Sequence, residues 1–311
     1  MMAKILRCRP SFHPLVWGGT RLHAFFPEAQ GITPLGEAWV ISAHPAGSST
    51  IEGGPFDGLP LSEVYRNHRE LFGPGNNLHF PLLIKLIDAA QDLSIQVHPD
   101  DAYAYEHEAS PGKQEAWVIL SARSNSTLVL GHTAVDRQSF LHRIETKDPT
   151  LFKHRSVQSG DCFEIEPGTV HAIGAGIFLY EVQQNSTITY RIYDYDRVDA
   201  QGHKRQLHLD KSLDMIRFPD TKILDPIPPQ PNGELIRNAF FTLSRLEISG
   251  SKRLEPDGVF RAVTCIRGSG TLGGQPIREG ESLIVLPEDR GVRVEGHLTI
   301  LVARPMEAGM L

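Results

Sequence analysis

The sequence predicts a mainly β protein made of two jelly-roll-like antiparallel β-barrels, with a few helices attached to the first barrel. Glycine (28 residues) and proline (22 residues) recur between short apolar runs, which is typical of turns that separate antiparallel strands. The segments Gly160–Pro167 and Gly280–Pro287 share one layout and indicate a weak internal repeat. We therefore expect two barrels of the same kind.

The first barrel is predicted from apolar runs of strand length that are bounded by turn residues. Glu166, Pro167 and Gly168 form one such turn, which leads into the strand that carries His171. The predicted strands of this barrel are Ala38–Ala43, Pro81–Ala89, Ser94–His98, Glu115–Leu120, Ser126–Leu130, Asp161–Ile165, Ile177–Gln183 and Thr189–Tyr193.

Three segments of the first barrel carry helical signals instead. Residues Leu61–Phe72 place apolar side chains at helical spacing and stop at Gly73. Residues Ala134–Thr146 show a similar spacing, with a predicted helix start near Thr133. A short helix is predicted over Asp100–Ala109, because aspartates favour the N-terminal end of a helix.

A proline-rich segment divides the chain. Four prolines between residues 221 and 232 resist both a helix and a central strand, so we expect a linker there. The predicted organisation is a catalytic domain over residues 1–220, a linker over 221–235 and a C-terminal β domain over 236–311. The C-terminal domain has His297 as its only histidine and therefore lacks a metal-ligand set. Its predicted strands are Phe240–Ile248, Gly258–Ile266, Gly270–Leu272, Ser282–Leu286 and Leu298–Ala303.

Composition and charge narrow the functional classes. The formal net charge is −6 with no Lys/Arg-rich run to offset it, which argues against nucleic-acid binding but allows a small anionic substrate in a local basic cleft. No apolar stretch approaches the roughly 18–20 residues of a membrane span, and the first residues contain no apolar signal core. The three cysteines (Cys8, Cys162 and Cys265) lie far apart, which fits a reduced compartment. We expect a cytoplasmic protein without nucleic-acid or membrane partners, either a monomer or a homodimer.

Four side chains in the middle of the chain have the chemistry of metal ligands: Gln96, His98, Glu115 and His171. Gln96 and His98 are two residues apart, so on a strand they share a face. Two imidazoles, one carboxylate and one amide oxygen suit an open zinc or iron site, where the bound ion keeps a net positive charge for Lewis-acid chemistry. Each residue taken singly is more often solvated or hydrogen-bonded, and spacing alone leaves that alternative as open as a metal site.

Other polar residues allow two interpretations each. Lys85 lies inside an apolar run, where a lysine either extends to the surface or faces an anion in the barrel mouth. Glu181 and Arg191 share a face only if one regular strand runs through both, and Arg191 could instead pair with Asp194 or Asp196. The remaining histidines of helices and loops are expected to be solvated: His107, His132, His142 and His154.

Several short motifs of the first domain are specific enough to identify a family. Leu93–Asp101 contains Ser-Ile-Gln-Val-His-Pro, and Gly112–Glu115 reads Gly-Lys-Gln-Glu. With these motifs the chain resembles the short bacterial type I mannose-6-phosphate isomerases, a family of zinc-dependent enzymes with the cupin fold. The match spans roughly residues 10–200, and beyond residue 205 it is one of layout only. The other matching segments are Trp17–Gly19, Gly36–Trp39, Leu83–Asp88, Pro167–Ala172, Gln183–Ser186 and Tyr190–Arg197.

The resemblance implies a reaction and a role for each matching residue. The reaction is the interconversion of mannose 6-phosphate and fructose 6-phosphate through a metal-assisted cis-enediol proton transfer, with the sugar phosphate as the small-molecule partner. One Zn2+ ion per chain, or another divalent ion, is implied as the cofactor. The implied roles are metal ligation by Gln96, His98, Glu115 and His171, catalysis by Arg191, Lys113 and Glu181, and substrate binding by Lys85 and Ser94.

One departure from the family pattern keeps two alternatives open. Relatives often carry an aspartate four residues before the arginine, and this chain has Thr187, whose neutral hydroxyl cannot act as a carboxylate base. A catalytically silent sugar-phosphate-binding protein is therefore one alternative. Another metal-dependent cupin enzyme, such as an iron dioxygenase, is the second, although such enzymes usually show a tighter His-x-His spacing that Gln96-Val-His98 does not supply.

Overall fold

The computed structural model describes residues 5–74, 78–198, 202–287 and 290–306. Four α-helices lie in this part of the chain: α1 (Leu61–Asn67), α2 (Asp101–Glu108), α3 (Arg137–Glu145) and α4 (Leu209–Met215). Short 3-10 helices span Arg21–Ala24, Pro27–Ala29, Gly54–Phe56 and Arg69–Phe72. The strands are β1 (Ile5–Arg9), β2 (Ser11–Gly19), β3 (Leu35–His44), β4 (Gly47–Ser48), β5 (Thr50–Glu52), β6 (Leu82–Asp88), β7 (Ile95–Val97), β8 (Glu115–Ala122), β9 (Thr127–His132), β10 (Phe152–Ser156), β11 (Cys162–Ile165), β12 (His171–Ile173), β13 (Ile177–Gln184), β14 (Tyr190–Tyr193), β15 (Asn232–Arg237), β16 (Phe241–Leu254), β17 (Arg261–Leu272), β18 (Gln275–Arg278), β19 (Ser282–Val285) and β20 (Val292–Pro305).

These strands form three antiparallel sheets, so the predicted mainly β class is confirmed. The five-stranded sheet has the order β10-β9-β12-β7-β14, and the seven-stranded sheet has the order β11-β8-β13-β6-β3-β2, with β4 paired to β3. The C-terminal sheet has the order β15-β16-β20-β17-β19-β1-β5, with β18 paired to β17. Each order is linear, so the sheets are jelly-roll-like and are not closed as the barrels that the sequence predicts.

The five-stranded and seven-stranded sheets pack face to face and share a core. Leu128 and Leu130 of the five-stranded sheet lie in one buried cluster with Trp117 and Leu179 of the seven-stranded sheet. This sandwich positions the candidate site, because polar residues at alternate strand positions face the space between its two walls. Within the described residues, no helix is both long and apolar enough to cross a membrane.

Strand pairing crosses the domain boundary that the proline-rich segment predicts. β1 pairs with β19 through Ile5 and Val285, so the N-terminal strand belongs to the C-terminal sheet. Both faces of β1 are covered, since Ile5 packs in the core of that sheet while Leu6 packs in the core shared with the first domain. The linker also docks against β11, where Cys162 and Ile227 exchange two backbone hydrogen bonds. The domain boundaries stay a prediction, and β1 and the linker tie the two parts together.

The predicted helices and strands are present with three differences in their bounds. The helix predicted over Leu61–Phe72 breaks at His68, whose φ of −137° and ψ of 43° are not helical. α3 starts after Asp136 rather than near Thr133, because the Asp136 carboxylate accepts the N–H of Ser139 as an N-cap. Residues 270–272 are not a separate strand but the end of β17.

Candidate metal centre and active site

One wall of the candidate site comes from β7 and its neighbours in the five-stranded sheet. Gln96 faces the site, whereas Ile95 and Val97 point into an apolar core on the other side. β7 is paired with β12 on one side and β14 on the other, so His171 and Arg191 both lie opposite Gln96. His98 follows β7 directly and keeps the same alternation, as the sequence predicts.

The other wall comes from β13 and its neighbours in the seven-stranded sheet. Glu181 on β13 lies opposite Trp117 of β8 and opposite Lys85 of β6. Two residues further along β13, Gln183 lies opposite Glu115. Because positions two apart share a face, Glu115 and Trp117 point the same way. The two walls therefore bring polar residues from distant parts of the chain into one buried space.

His98, Glu115 and His171 form a buried group, here called the metal group, that could hold a metal ion. Their ligand atoms all lie within 4.8 Å of one another. The Nε2 atoms of His98 and His171 are 3.2 Å apart, and His171 Nε2 lies 3.4 Å from Glu115 Oε1. His171 Nδ1 lies 2.9 Å from the backbone oxygen of Thr169, so Nδ1 carries the proton and Nε2 offers its lone pair to the group.

The protonation states of the metal group fit a divalent cation. Burial lowers the pKa of His98 to about 3, with the charge of Lys113 acting in the same direction. Burial also lowers the pKa of His171, so both imidazoles are neutral near pH 7. Burial alone would raise the pKa of Glu115, but Lys113 and the neighbouring histidines hold it well below its usual range. Glu115 Oε1 is buried without a hydrogen-bond partner among the described residues, which is costly unless a cation meets it.

The structure brings Gln96, the fourth predicted ligand, to the metal group. Its amide Nε2 lies 3.2 Å from Nε2 of His171. A half-turn of the amide exchanges its nitrogen and its oxygen, so the same position offers an oxygen to a metal ion. The donor set is then two neutral imidazoles, one carboxylate and one amide oxygen, which suits zinc or a related divalent ion.

Lys113 lies two residues before Glu115, where β8 begins, and its side chain contacts two members of the metal group. Its Nζ lies 2.8 Å from His98 Nε2 and 2.7 Å from Glu115 Oε2. The segment is fixed by backbone hydrogen bonds, from Lys113 N to the oxygen of Pro99 and from Gly112 N to the Asp101 carboxylate. The ammonium group is therefore the present counter-charge of Glu115.

Lys85 and Glu181 form a buried ion pair beside the metal group. Lys85 Nζ lies 2.9 Å from Glu181 Oε1 and 3.7 Å from Glu37 Oε2, and the residue is only 6% exposed. Lys85 therefore does not extend to the surface, which was one of its two interpretations. Burial alone would lower the pKa of Lys85, but Glu181 and Glu37 outweigh it and raise that pKa. Burial raises the pKa of Glu181, and the charge of Lys85 only partly offsets this.

Trp117 and Glu37 also belong to the site, although the sequence motifs did not indicate them. The indole Nε1 of Trp117 donates to Glu181 Oε2 at 2.8 Å, and its ring packs edge-on against His171. Glu37 accepts a 2.6 Å hydrogen bond from the indole of Trp39 and faces Lys85. The spacing of two between Glu115 and Trp117 was a usable signal for Trp117, because it puts both side chains on one face of β8.

Arg191 and Ser94 meet at the edge of the site. Arg191 Nε lies 3.3 Å from the hydroxyl of Ser94, and its Nη1 donates to the backbone oxygen of Gln206 at 2.9 Å. Among the described residues Arg191 forms no ion pair with Asp194 or Asp196, so that interpretation is wrong.

Glu181 and Arg191 lie on different strands in different sheets. One regular strand through both residues, which their spacing allowed, does not exist. Thr187 is exposed in the loop between these strands. The two residues still face the same site, because the two sheets pack against each other.

Known proteins resemble this chain over nearly its whole length. Residues 5–116 match the family model for the catalytic domain of phosphomannose isomerase type I, and residues 233–305 match the model for the cupin domain of mannose-6-phosphate isomerase. The mannose-6-phosphate isomerase of Streptococcus mutans is 38% identical over 98% of this chain and 100% of its own length. Mannose-6-phosphate isomerase ManA of Bacillus subtilis is 38% identical over 97% of this chain and 99% of its own length. The crystal structure of the mannose 6-phosphate isomerase from B. subtilis matches with a TM-score of 0.89 at 33% identity, and the match covers 97% of this chain and 100% of that one.

Proposed function

The chain belongs to the type I phosphomannose isomerase family and is an aldose–ketose isomerase, and from that premise we propose that it interconverts mannose 6-phosphate and fructose 6-phosphate. The observation that carries the proposal is the convergence of the metal group with Lys113 and Glu181 in one buried space. Isomerisation moves a proton between C2 of the aldose and C1 of the ketose through a cis-enediol. It needs a group that takes and returns the proton and a positive environment for the enediolate oxygens.

We propose that Gln96, His98, Glu115 and His171 hold one Zn2+ ion, or another divalent ion, per chain. When bound, the ion supplies a Lewis acid for the sugar oxygens. The neutral imidazoles and the ionised Glu115 support this assignment, and so does Glu115 Oε1, which has no hydrogen-bond partner in the described part of the chain.

In this proposal Lys113 and Glu181 act as the general acid–base groups. Thr187 is exposed and has no carboxylate, so it cannot share this work. Lys113 Nζ contacts His98 and Glu115 of the metal group, and this position supports a role in proton transfer near the bound ion. Glu181 is held by Trp117 and Lys85, and burial raises its pKa toward the range of a useful base. Arg191 would stabilise negative charge on oxygen from the opposite wall.

Lys85 and Ser94 are proposed to face the substrate. Ser94 is 4% exposed and contacts Arg191, so its hydroxyl is oriented at the edge of the site. The charge of Lys85 is shared with Glu181 and Glu37, so this lysine would mainly orient Glu181 and the sugar hydroxyls. A cytoplasmic location belongs to the same proposal, because the three cysteines are buried and unpaired.

The test is a turnover assay on a panel of aldose 6-phosphates with the wild type, Glu115→Gln and a control. Mannose 6-phosphate should be the preferred substrate, and Glu115→Gln should lose both turnover and bound metal. Glu164→Gln is the control, because Glu164 bonds Gln114 and Asn238 outside the metal group, and it should retain both.

Two outcomes would overturn the proposed function. Saturable sugar-phosphate binding without turnover would identify a silent binding protein. Bound iron with oxygen uptake would identify an oxygenase of the same fold.

A further inference from the structure

Lys113 and a metal ion would compete for the same atoms of the metal group. The ammonium Nζ of Lys113 lies 2.8 Å from His98 Nε2 and 2.7 Å from Glu115 Oε2. An ammonium group only donates, so Nε2 of His98 accepts with its lone pair. One nitrogen lone pair serves either a hydrogen bond or a metal ion. When the metal group binds zinc through His98 Nε2, Lys113 must therefore give up this contact.

The displaced ammonium group of Lys113 needs another acceptor. Lys113 is only 4% exposed, so water cannot readily replace the lost contact. A buried charge that loses a hydrogen bond is costly. Repulsion from the bound cation adds to this cost, because both positive charges lie beside Glu115. We therefore expect a second acceptor within reach of Lys113.

Gln183 carries a buried amide oxygen without a donor. The residue is fully buried, and its Oε1 has no hydrogen-bond partner among the described residues. Its Nε2 donates to the backbone oxygens of Gln184 at 2.8 Å and Ser186 at 2.6 Å. A half-turn of the amide would place Oε1 against these two acceptors, so the orientation of the amide is fixed. A buried oxygen held in this way is stabilised by a donor from elsewhere.

The strand register places Gln183 beside Lys113. Gln183 on β13 lies opposite Glu115 of β8, so the two side chains share the face that lines the site. The pairing continues beyond the start of β8, where Gln184 N donates to the backbone oxygen of Gln114. Lys113 is then the diagonal neighbour of Gln183 on that face. Such neighbours lie about 7–8 Å apart, which is within reach of a long side chain.

The two residues that pair with Gln183 have no side-chain donor. Leu83 of β6 lies opposite Gln183 on one side and is apolar. Glu115 lies opposite it on the other side, and a carboxylate only accepts. Glu181, two residues earlier on the same face, is a carboxylate as well and already has its own partners. The ammonium group of Lys113 is therefore the donor that the register favours.

We propose that Gln183 is a positioning residue, whose Oε1 accepts the ammonium group of Lys113 when a metal ion binds His98 Nε2. This inference rests on the proposed function, in which Lys113 acts in proton transfer. The exchange of acceptor would keep Lys113 beside the site without competition for the ion. Metal loading and the placement of Lys113 are thereby coupled.

The experiment is a double-mutant cycle with zinc affinity as its readout. Zinc is titrated into stripped protein against a chromophoric chelator for the wild type, Gln183→Met, Lys113→Met and the double variant. Gln183→Met should raise the Kd of zinc about 10- to 100-fold, because the displaced ammonium group loses its acceptor. In the Lys113→Met background the same substitution should change this Kd by no more than about twofold. Equal effects in both backgrounds would overturn the inference.

Steady-state kinetics at saturating zinc give a second readout. Gln183→Met should lower kcat about tenfold with little change in KM for mannose 6-phosphate, because Lys113 is no longer positioned. An unchanged kcat would contradict the positioning role. Thr264→Val is the matched control for the loss of a buried polar group, since its hydroxyl lies 2.9 Å from that of Ser282 in the C-terminal sheet. The control should change neither kcat nor the Kd of zinc.

A crystal structure of the zinc-loaded wild type decides the question if Gln183→Met does not fold. Lys113 Nζ should then lie within hydrogen-bond distance of Gln183 Oε1 and away from His98 Nε2. A loaded structure in which Lys113 does not contact Gln183 would overturn the inference. If the wild type does not isomerise mannose 6-phosphate, the proposed function fails on its own. The zinc affinities of the double-mutant cycle would still test the link between Gln183 and Lys113.

Discussion

Trp117 donates its indole N–H to Glu181 at 2.8 Å while the edge of the same ring system packs against His171, with the ring centroids 5.5 Å apart. One buried side chain therefore connects a proposed acid–base carboxylate to a proposed metal ligand. The hydrogen bond fixes one oxygen of Glu181, and Lys85 fixes the other at 2.9 Å. The orientation of Glu181 depends on both contacts, since no other side chain among the described residues bonds its carboxylate.

Replacing Trp117 with Phe should reduce kcat more than it changes KM. The substitution keeps most of the apolar contact but leaves Glu181 Oε2 without its donor, which should cost about 1–3 kcal/mol in the free energy of unfolding. A carboxylate that is no longer aligned should lower kcat by about ten- to a hundredfold. Steady-state kinetics and urea unfolding measure the two effects. A double-mutant cycle with Glu181→Gln provides the control, because independent effects on kcat would contradict the coupling.

Replacing Lys113 or Glu181 should separate proton transfer from metal binding. Lys113→Gln and Glu181→Gln should each lower kcat by about 10²–10⁴, the usual contribution of a positioned acid or base. Both variants should retain the metal, since neither residue belongs to the proposed ligand set. Exchange of the C2 hydrogen of mannose 6-phosphate in D2O identifies the base, because the variant without its base loses exchange. Unchanged kcat in both variants would remove these residues from the mechanism.

His132 is buried, not solvated as the sequence analysis expects, and it should make stability fall in mild acid. It is 1% exposed, packs between the rings of Phe140 and Phe218, and its pKa lies below the ordinary 6.5 because burial disfavours the charged form. Below pH 6.5 the unfolded chain binds a proton at this position that the folded chain does not, so the free energy of unfolding decreases as pH falls toward the folded-state pKa. One histidine contributes at most about 1.4 kcal/mol per pH unit.

Thermal unfolding between pH 7 and pH 5 measures this effect. His132→Gln should have a shallower decline in Tm than the wild type across that interval. His142→Gln is the control, because His142 is exposed on α3 and its replacement should keep the wild-type slope. Identical slopes for the wild type and His132→Gln would assign the acid sensitivity to other groups.

Replacing Leu6 with Ala should destabilise the whole molecule, because β1 joins the C-terminal sheet to the core of the first domain. Leu6 is 2% exposed, and removing a buried leucine typically costs about 2–5 kcal/mol. We expect one cooperative unfolding transition that shifts as a unit, with KM unchanged. Arg9→Ala is the control, since Arg9 is exposed and its side chain has one ion pair among the described residues, a 4.0 Å contact with Glu52. Two transitions, of which only one moves, would mean that the parts unfold separately.

Local patterns in the sequence predict those parts of the site that lie on one strand. Gln96 and His98 share a face because strand side chains alternate, and the structure places both beside His171. The contacts that complete the site join residues far apart in the chain, such as Lys85 with Glu37 and Trp117 with Glu181. Those contacts depend on which strands become neighbours, and a single sequence does not specify that order.

Local sequence patterns do not predict two further features of the structure. The sequence predicts no strand over residues 5–9 and assigns them to the first domain, but β1 pairs with β19 because its two apolar faces complete both cores. Arg197 reaches Asp194 through the left-handed turn at Tyr195 and Asp196, a conformation that is uncommon for non-glycine residues. Both features arise from tertiary contacts that override local preference.

In the proposed mechanism His98, Glu115, His171 and Gln96 hold the metal ion on which isomerisation depends. The most direct test is to strip the wild type with a chelator, verify the loss of metal, and titrate zinc back while mannose 6-phosphate turnover is measured. We expect turnover to be absent in the stripped protein and to rise linearly to full activity at one equivalent of zinc per chain. Full turnover in the verified metal-free protein would contradict it.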